Sequence, residues 1–257
     1  MLTFIATGLL TFIQPATTPA PAHPAAPATA PAAPASPAKA PASVTITVKA
    51  EDAPDLQEWG NEVAKLCEEW YPRLSELLAS EGYTPPTAVN IVFRPALRVP
   101  AMAGGDTITV NAAYVRDHKG DKGMLIHEVT HIIQAYPRQK EDLGWLTEGI
   151  ADYIRFWLYE PQTRQHPINK EKASYRNSYR VAGAFLGWLV ETHDKEIVTK
   201  LNAKLRAGNA DASIFNELLN KSVDDLWKEF IEAGAPSAPA LGEEPVKTPA
   251  SPIKPAK

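Results

Sequence analysis

The chain has 257 residues, 26 Lys and Arg against 30 Asp and Glu, a formal charge of −4 and 44% hydrophobic residues. No basic cluster and no Gly-rich phosphate loop is present, which argues against nucleic-acid binding and nucleotide chemistry. The single Cys67 excludes an intrachain disulfide and, among Leu66 and Trp70, reads as a packed thiol.

Leu2, Phe4, Ile5, Leu9, Leu10, Phe12 and Ile13 form a short apolar run that leads into Ala and Pro. Such a run is too short to span a membrane and reads as the hydrophobic part of a signal peptide within residues 1–20, although no Lys or Arg precedes it. From 15 to 42 nearly every residue is Pro or Ala, which gives a disordered spacer with an extended polyproline tendency. Residues 233–257 are of the same kind, rich in Pro, Ala and Lys, and read as a tail. Between them, 43–232 is long enough for one domain with its own core. The expected protein is therefore secreted or held in the periplasm or cell envelope, is not inserted in a membrane once the signal is removed, and is a monomer.

Within the domain, Val44–Val48 alternates as a strand, and the spacing of Leu56, Trp59, Val63, Leu66, Trp70 and Leu74 predicts a helix from Asp55 to about Ser80, stopped by Gly82. Val89–Phe93 and Thr107–Val110 read as further strands. The latter is placed to pair with an extended substrate, with Ala101–Gly105 ahead of it as a mobile rim. Helices dominate from there on. This order predicts an α+β fold, a small N-terminal sheet over the active-site helix followed by a mostly helical C-terminal half.

The segment Gly123–His131 carries the chemistry. Its core is His127-Glu128-Val129-Thr130-His131. On a helix, residues four apart share a face, so His127 and His131 can both present ring nitrogens to one zinc ion. Glu128 is then beside the metal-bound water as general base. A catalytic zinc normally has three protein ligands and an open position. The second segment, Gly144–Tyr153, supplies Glu148 as third ligand, and Asp152, one turn on, can accept the N–H of a zinc histidine. The alternative His-x-x-Gly-x-x-His continuation is excluded, because Gln134 and Pro137 occupy the positions it needs. His23, His118 and His193 show no ligand spacing, and His166 is kept only in reserve.

The runs His127–Gln134, Glu148–Tyr153 and Ser178–Leu186, with Leu201–Arg206, Phe215–Leu219 and Ser222–Trp227 behind them, resemble the plant basic secretory protein family and its bacterial and fungal relatives. The likeness spans roughly residues 43–232. It implies a zincin-like metallopeptidase domain of the gluzincin kind, with Glu148 as third zinc ligand and Asp152 as the supporting carboxylate. The family name implies a basic protein, so partners that depend on positive charge do not carry over to a chain of −4. An oxyanion donor is also needed; Tyr179 is the candidate, with Tyr175 one turn earlier on the same helix face as runner-up.

The expected function is hydrolysis of protein or peptide substrates by a zinc-dependent metalloendopeptidase, with catalytic Glu128 and Tyr179, ligands His127, His131 and Glu148, and Asp152 behind them. The competing expectation is a secreted protein that binds a wall or host partner on the same fold, with little or no peptidase activity.

Overall fold

The computed structural model describes residues 43–163, 168–176 and 179–234. The expected signal peptide and spacer, nearly all of the tail, and His23, His166 and Ser178 lie outside these residues.

Four strands form one sheet in the order β1-β2-β4-β3, where β1 is Thr45–Lys49, β2 Ala88–Arg94, β3 Ala101–Gly104 and β4 Thr107–Asn111. The first three in that order run parallel, with Ile46 opposite Val89 and Ile91 opposite Ile108. The fourth is antiparallel, Ala103 facing Ile108. Alternation decides what is buried: Val89, Ile91, Phe93, Ile108 and Val110 point into the core while their neighbours face outward. Two expectations are corrected here. The segment read as a mobile rim is strand β3, joined to β4 by a two-residue turn that Gly105 opens at φ 61°. The strand Thr107–Val110 is hydrogen-bonded on both sides, to β2 and to β3, and so has no edge for a substrate. The edge strands are β1 and β3, and β3 is the one beside the histidine-bearing segment Gly123–Gln134.

Helix α1, Gln57–Leu77, follows a 3-10 turn at Pro54–Leu56 and buries Trp59, Val63, Cys67, Tyr71 and Leu74, the face its spacing predicts. Gly60 lets it lie close on the sheet, since a Cβ there would stand 2.6 Å from Val48 Cγ1 and 3.2 Å from the Phe93 ring. The short α2, Ala112–Asp117, was not evident from periodicity; the Asn111 side chain caps it by accepting from the Tyr114 N–H at 3.2 Å.

Helix α3, Gly123–Gln134, carries the His-Glu-x-x-His run and is buried on almost every side, with Leu125, Ile126, Val129 and Ile133 in the core. It ends where Ala135 turns left-handed at φ 33°. Helix α4, Gly144–Tyr153, continues into a π-helical segment, Ile154–Tyr159. Helices α5 (Tyr179–Thr192), α6 (Ile197–Ala207), α7 (Ser213–Leu219) and α8 (Val223–Ala233) complete an α+β domain with a small sheet and a mostly helical remainder. The seam between α4 and α5 is lined by small residues: a Cβ on Gly149 would stand 2.8 Å from Ala182 Cβ, and one on Gly183 3.0 Å from the Tyr153 nitrogen. Among the described residues no helix is long and apolar enough to cross a membrane.

Candidate metal centre

Because α3 is regular, the ring of His127 lies one turn before that of His131, and the two Nε2 atoms are 3.0 Å apart. Helix α4 brings Glu148 against them, its Oε2 3.1 Å from each Nε2. These three are the group of potential metal ligands that the described residues contain. Four bonds of about 2.0–2.1 Å in a tetrahedron place ligand atoms about 3.3 Å apart, so the triad needs to open only by a few tenths of an ångström to take a zinc ion.

The partners on the far side of each ring make the case stronger. His127 Nδ1 lies 2.7 Å from Asp152 Oδ1. His131 Nδ1 lies 2.6 Å from the Gln134 side-chain oxygen, whose own amide group donates to the Thr147 carbonyl at 3.0 Å and so fixes which way the amide points. Both acceptors put the ring proton on Nδ1 and the lone pair on Nε2. Three acceptor atoms, two nitrogen lone pairs and a carboxylate oxygen, then converge on one point, and only a cation or added protons can reconcile them. The site answers electrostatically in that sense. Burial pushes His127 down, but hydrogen bonds to Asp152 and Glu148 outweigh it and lift the imidazole to about 9. Burial raises Glu148, but His127 and His131 outweigh it and bring the carboxyl down to about 2. The donor set, two neutral imidazoles and a carboxylate, fits zinc.

Glu128 is 8% exposed and is hydrogen-bonded by the Ala103 backbone of β3. Burial holds its carboxyl above the usual range, while His127 and His131 pull it back. It opens with the triad onto a cavity of 710 Å³ whose wall includes Val99, Met102 and Ala103 from the β3 side and Arg155, Phe156, Tyr179 and Arg180 from the helical side. Val99, Met102 and Tyr179 are the exposed large hydrophobic residues of the described chain, and all three are on this wall. Tyr179, at the start of α5, is 58% exposed with its side chain at the cavity. Tyr175 is not on α5 at all. It is 3% exposed, packed against Trp145 and Trp227, with its hydroxyl donating to Asp224 at 2.8 Å, which removes it as an alternative to Tyr179.

His118 stacks on Tyr114, and His193 lies 3.5 Å from Glu229; neither belongs to the group of potential ligands. Gln134 is the residue of the site that motif reading misses. Its position was used only to exclude a different motif, and a signal for it existed: three residues after His131 on the helix, it shares that histidine's face. Arg206 is further back. It donates to the carbonyls of Ile133, at 2.9 Å, and Gln134, so α6 supplies a cation to the end of the histidine helix.

The sequence model of a family described as peptidase of plants and bacteria, BSP, matches residues 44–230. The chain belongs to that family. It is the one the motifs resemble under the name of basic secretory proteins, so the chain is a member of a peptidase family. Among curated proteins no match is found. Two solved structures of a mutant M1 zinc metallopeptidase from Deinococcus radiodurans are similar to this BSP chain, at 16% and 15% identity and a TM-score of 0.39 in each; the second is bound to a Tyr-Ser-Ala substrate. The matches cover 65% and 75% of this chain and 44% and 48% of the other, so the chain spans less than half the length of those proteins.

Proposed function

We propose that this BSP-family chain is an exported zinc-dependent endopeptidase. The observation that carries the reading is the convergence of two imidazole nitrogens and a carboxylate oxygen within 3.0–3.1 Å of one another, with the buried Glu128 beside them, on an open cavity. Export rests on the apolar run at residues 2–13. His127, His131 and Glu148 would hold the metal, and zinc when bound supplies Lewis-acid polarisation of the scissile carbonyl and a water of pKa about 7.

The protein's own groups do the rest. Asp152 and Gln134 keep both Nε2 lone pairs turned inward. Glu128 accepts a proton from the attacking water at its carboxylate and returns it to the departing amine, a task suited to a carboxyl whose burial makes it more basic. Tyr179 donates from its hydroxyl to the oxygen that gains negative charge. An extended substrate would lie along the outer edge of β3. Asn111 N–H bonds the Pro100 carbonyl at 2.9 Å, so alternation turns the backbone groups of Met102 and Gly104 toward β4 and those of Ala101 and Ala103 away from it, with the Ala103 backbone bonded to Glu128.

The test is metal content and cleavage of unfolded casein by the wild type beside Glu128→Gln. One zinc in both, with turnover reduced at least roughly 10²-fold in the variant, is expected. Zinc without cleavage in the wild type would instead favour a binding protein. Tyr179→Phe should lower kcat while zinc content stays at one; equal turnover removes Tyr179 from the reaction.

A further inference from the structure

One wall of the cavity carries a cation that no carboxylate among the described residues neutralises. Six charged side chains line that cavity besides the histidines. Asp152 is engaged by His127, and Glu148 by both histidines. Glu128 stands at the triad as the general base. Asp121 pairs with Arg155, which also holds Glu160 at 2.5 Å, so this guanidinium has two carboxylates of its own. That leaves Arg180.

Arg180 has no carboxylate partner among the described residues. Its one hydrogen bond there is a long 3.5 Å contact from Nη1 to the Thr163 carbonyl. The guanidinium lies over the Phe156 ring at 3.8 Å from the centroid, while Arg155 lies over the same ring at 4.6 Å. The ring packs against the Arg180 group without using its N–H donors. A guanidinium packed on a ring, with no carboxylate partner among the described residues, on the wall of a cavity that also contains the candidate metal triad, can receive a planar anion in two parallel hydrogen bonds.

Building on the peptidase reading, we propose that Arg180 on Phe156 forms a carboxylate-binding subsite that makes the enzyme select peptides with an acidic group close to the cleaved bond. Two sources share that chemistry: the side chain of Asp or Glu within a peptide, and the α-carboxylate at its C-terminus. Selection resides in Arg180 rather than Arg155, because bringing a carboxylate to Arg155 means displacing Asp121 or Glu160.

The experiment uses the full chain with zinc and a set of quenched fluorescent peptides identical except for Glu or Gln at one position, scanned along the sequence, each made with a free or an amidated C-terminus. At one position the wild type is expected to prefer Glu over Gln in kcat/KM by roughly tenfold or more. Arg180→Gln should bring that ratio close to one, and Arg180→Glu should invert it. A preference for the free acid over the amide, with cleavage near the terminus, identifies the α-carboxylate; a preference that follows the internal Glu identifies the side chain. The same peptides, carrying a fluorescent label, are titrated into Glu128→Gln protein with and without Arg180→Gln, and binding is read by anisotropy. A Glu preference in binding that vanishes with Arg180→Gln supports the subsite even where the wild type cleaves nothing, in which case the peptidase reading alone fails. Cleavage with the same Glu/Gln ratio in wild type and Arg180→Gln, or no acid preference in either assay, overturns the subsite.

Discussion

Each histidine of the triad is held from behind by a different kind of group. His127 has a carboxylate, Asp152, 5% exposed; His131 has a neutral amide, Gln134, 1% exposed. The charged partner makes its ring the more basic donor and the amide fixes direction only. Asp152→Asn should therefore weaken zinc affinity by roughly 10- to 100-fold, measured by competition with a chromogenic chelator, and Gln134→Leu should also weaken it. Affinity unchanged in Asp152→Asn removes that carboxylate from the centre. The stability of the metal-stripped protein should depend on pH in a stated direction. His127 is raised from 6.5 to about 9, so the stabilisation from its proton is complete below 6.5 and is lost as pH rises through about 9. Glu148 is lowered from 4.5 to about 2, so its contribution is present above 4.5 and lost as pH falls through about 2. The metal-free unfolding midpoint should be highest between 4.5 and 6.5 and decline toward 9. A midpoint that climbs from 7 to 9 contradicts the arrangement.

Among the elements, α4 and α5 set the reach of the third ligand. The Cβ of an alanine at Gly183 would meet the Tyr153 nitrogen at 3.0 Å and the Asp152 carbonyl carbon and Cβ at 3.1 Å. Most of that is backbone, which cannot rotate away. Gly183→Ala should cost about 1–3 kcal/mol. It should also lower zinc affinity by displacing Asp152, whereas Gly120→Ala, whose Cβ meets nothing within 4 Å, serves as the neutral control. Equal midpoints for the two variants would show that the seam yields freely. The same elements show what one sequence can disclose. Period-four spacing of His127 with His131 and Glu148 with Asp152 is a local property, legible before any fold is known. Strand β3 was not, because Ala101-Met102-Ala103-Gly104 lacks β-branched residues and becomes a strand only by pairing with β4. Tyr175 misled for the complementary reason. Its spacing from Tyr179 assumed a continuous helix, but α5 begins at Tyr179 and the Tyr175 hydroxyl is spent on Asp224, 49 positions away.

Across the whole molecule, one core joins the sheet to the helices, from Val44 to Phe230. A fragment of residues 43–234 should therefore melt within about 2 °C of the full chain and bind the same single zinc, by calorimetry and metal analysis. A large loss would assign a stabilising role to residues outside it. Cys67 offers a probe of the same cooperativity. It is fully buried, and burial pushes its thiol up to about 12. Labelling by a thiol reagent should follow global unfolding, and rapid labelling of the native protein would reveal local opening of α1.

Arg206 has a further consequence, for timing during synthesis. The ligands occupy positions 127, 131 and 148, yet the histidine helix ends on a guanidinium that comes 72 positions after Gln134 and shares α6 with Asn202, which bonds the Leu78 carbonyl at 2.9 Å. A nascent chain that has displayed all three candidate ligands still lacks the α6 side chains that tie the end of the histidine helix to the turn after α1. The order of synthesis thus displays all three candidate ligands before the segment that holds the end of the histidine helix, so the triad is completed only once α6 has been made.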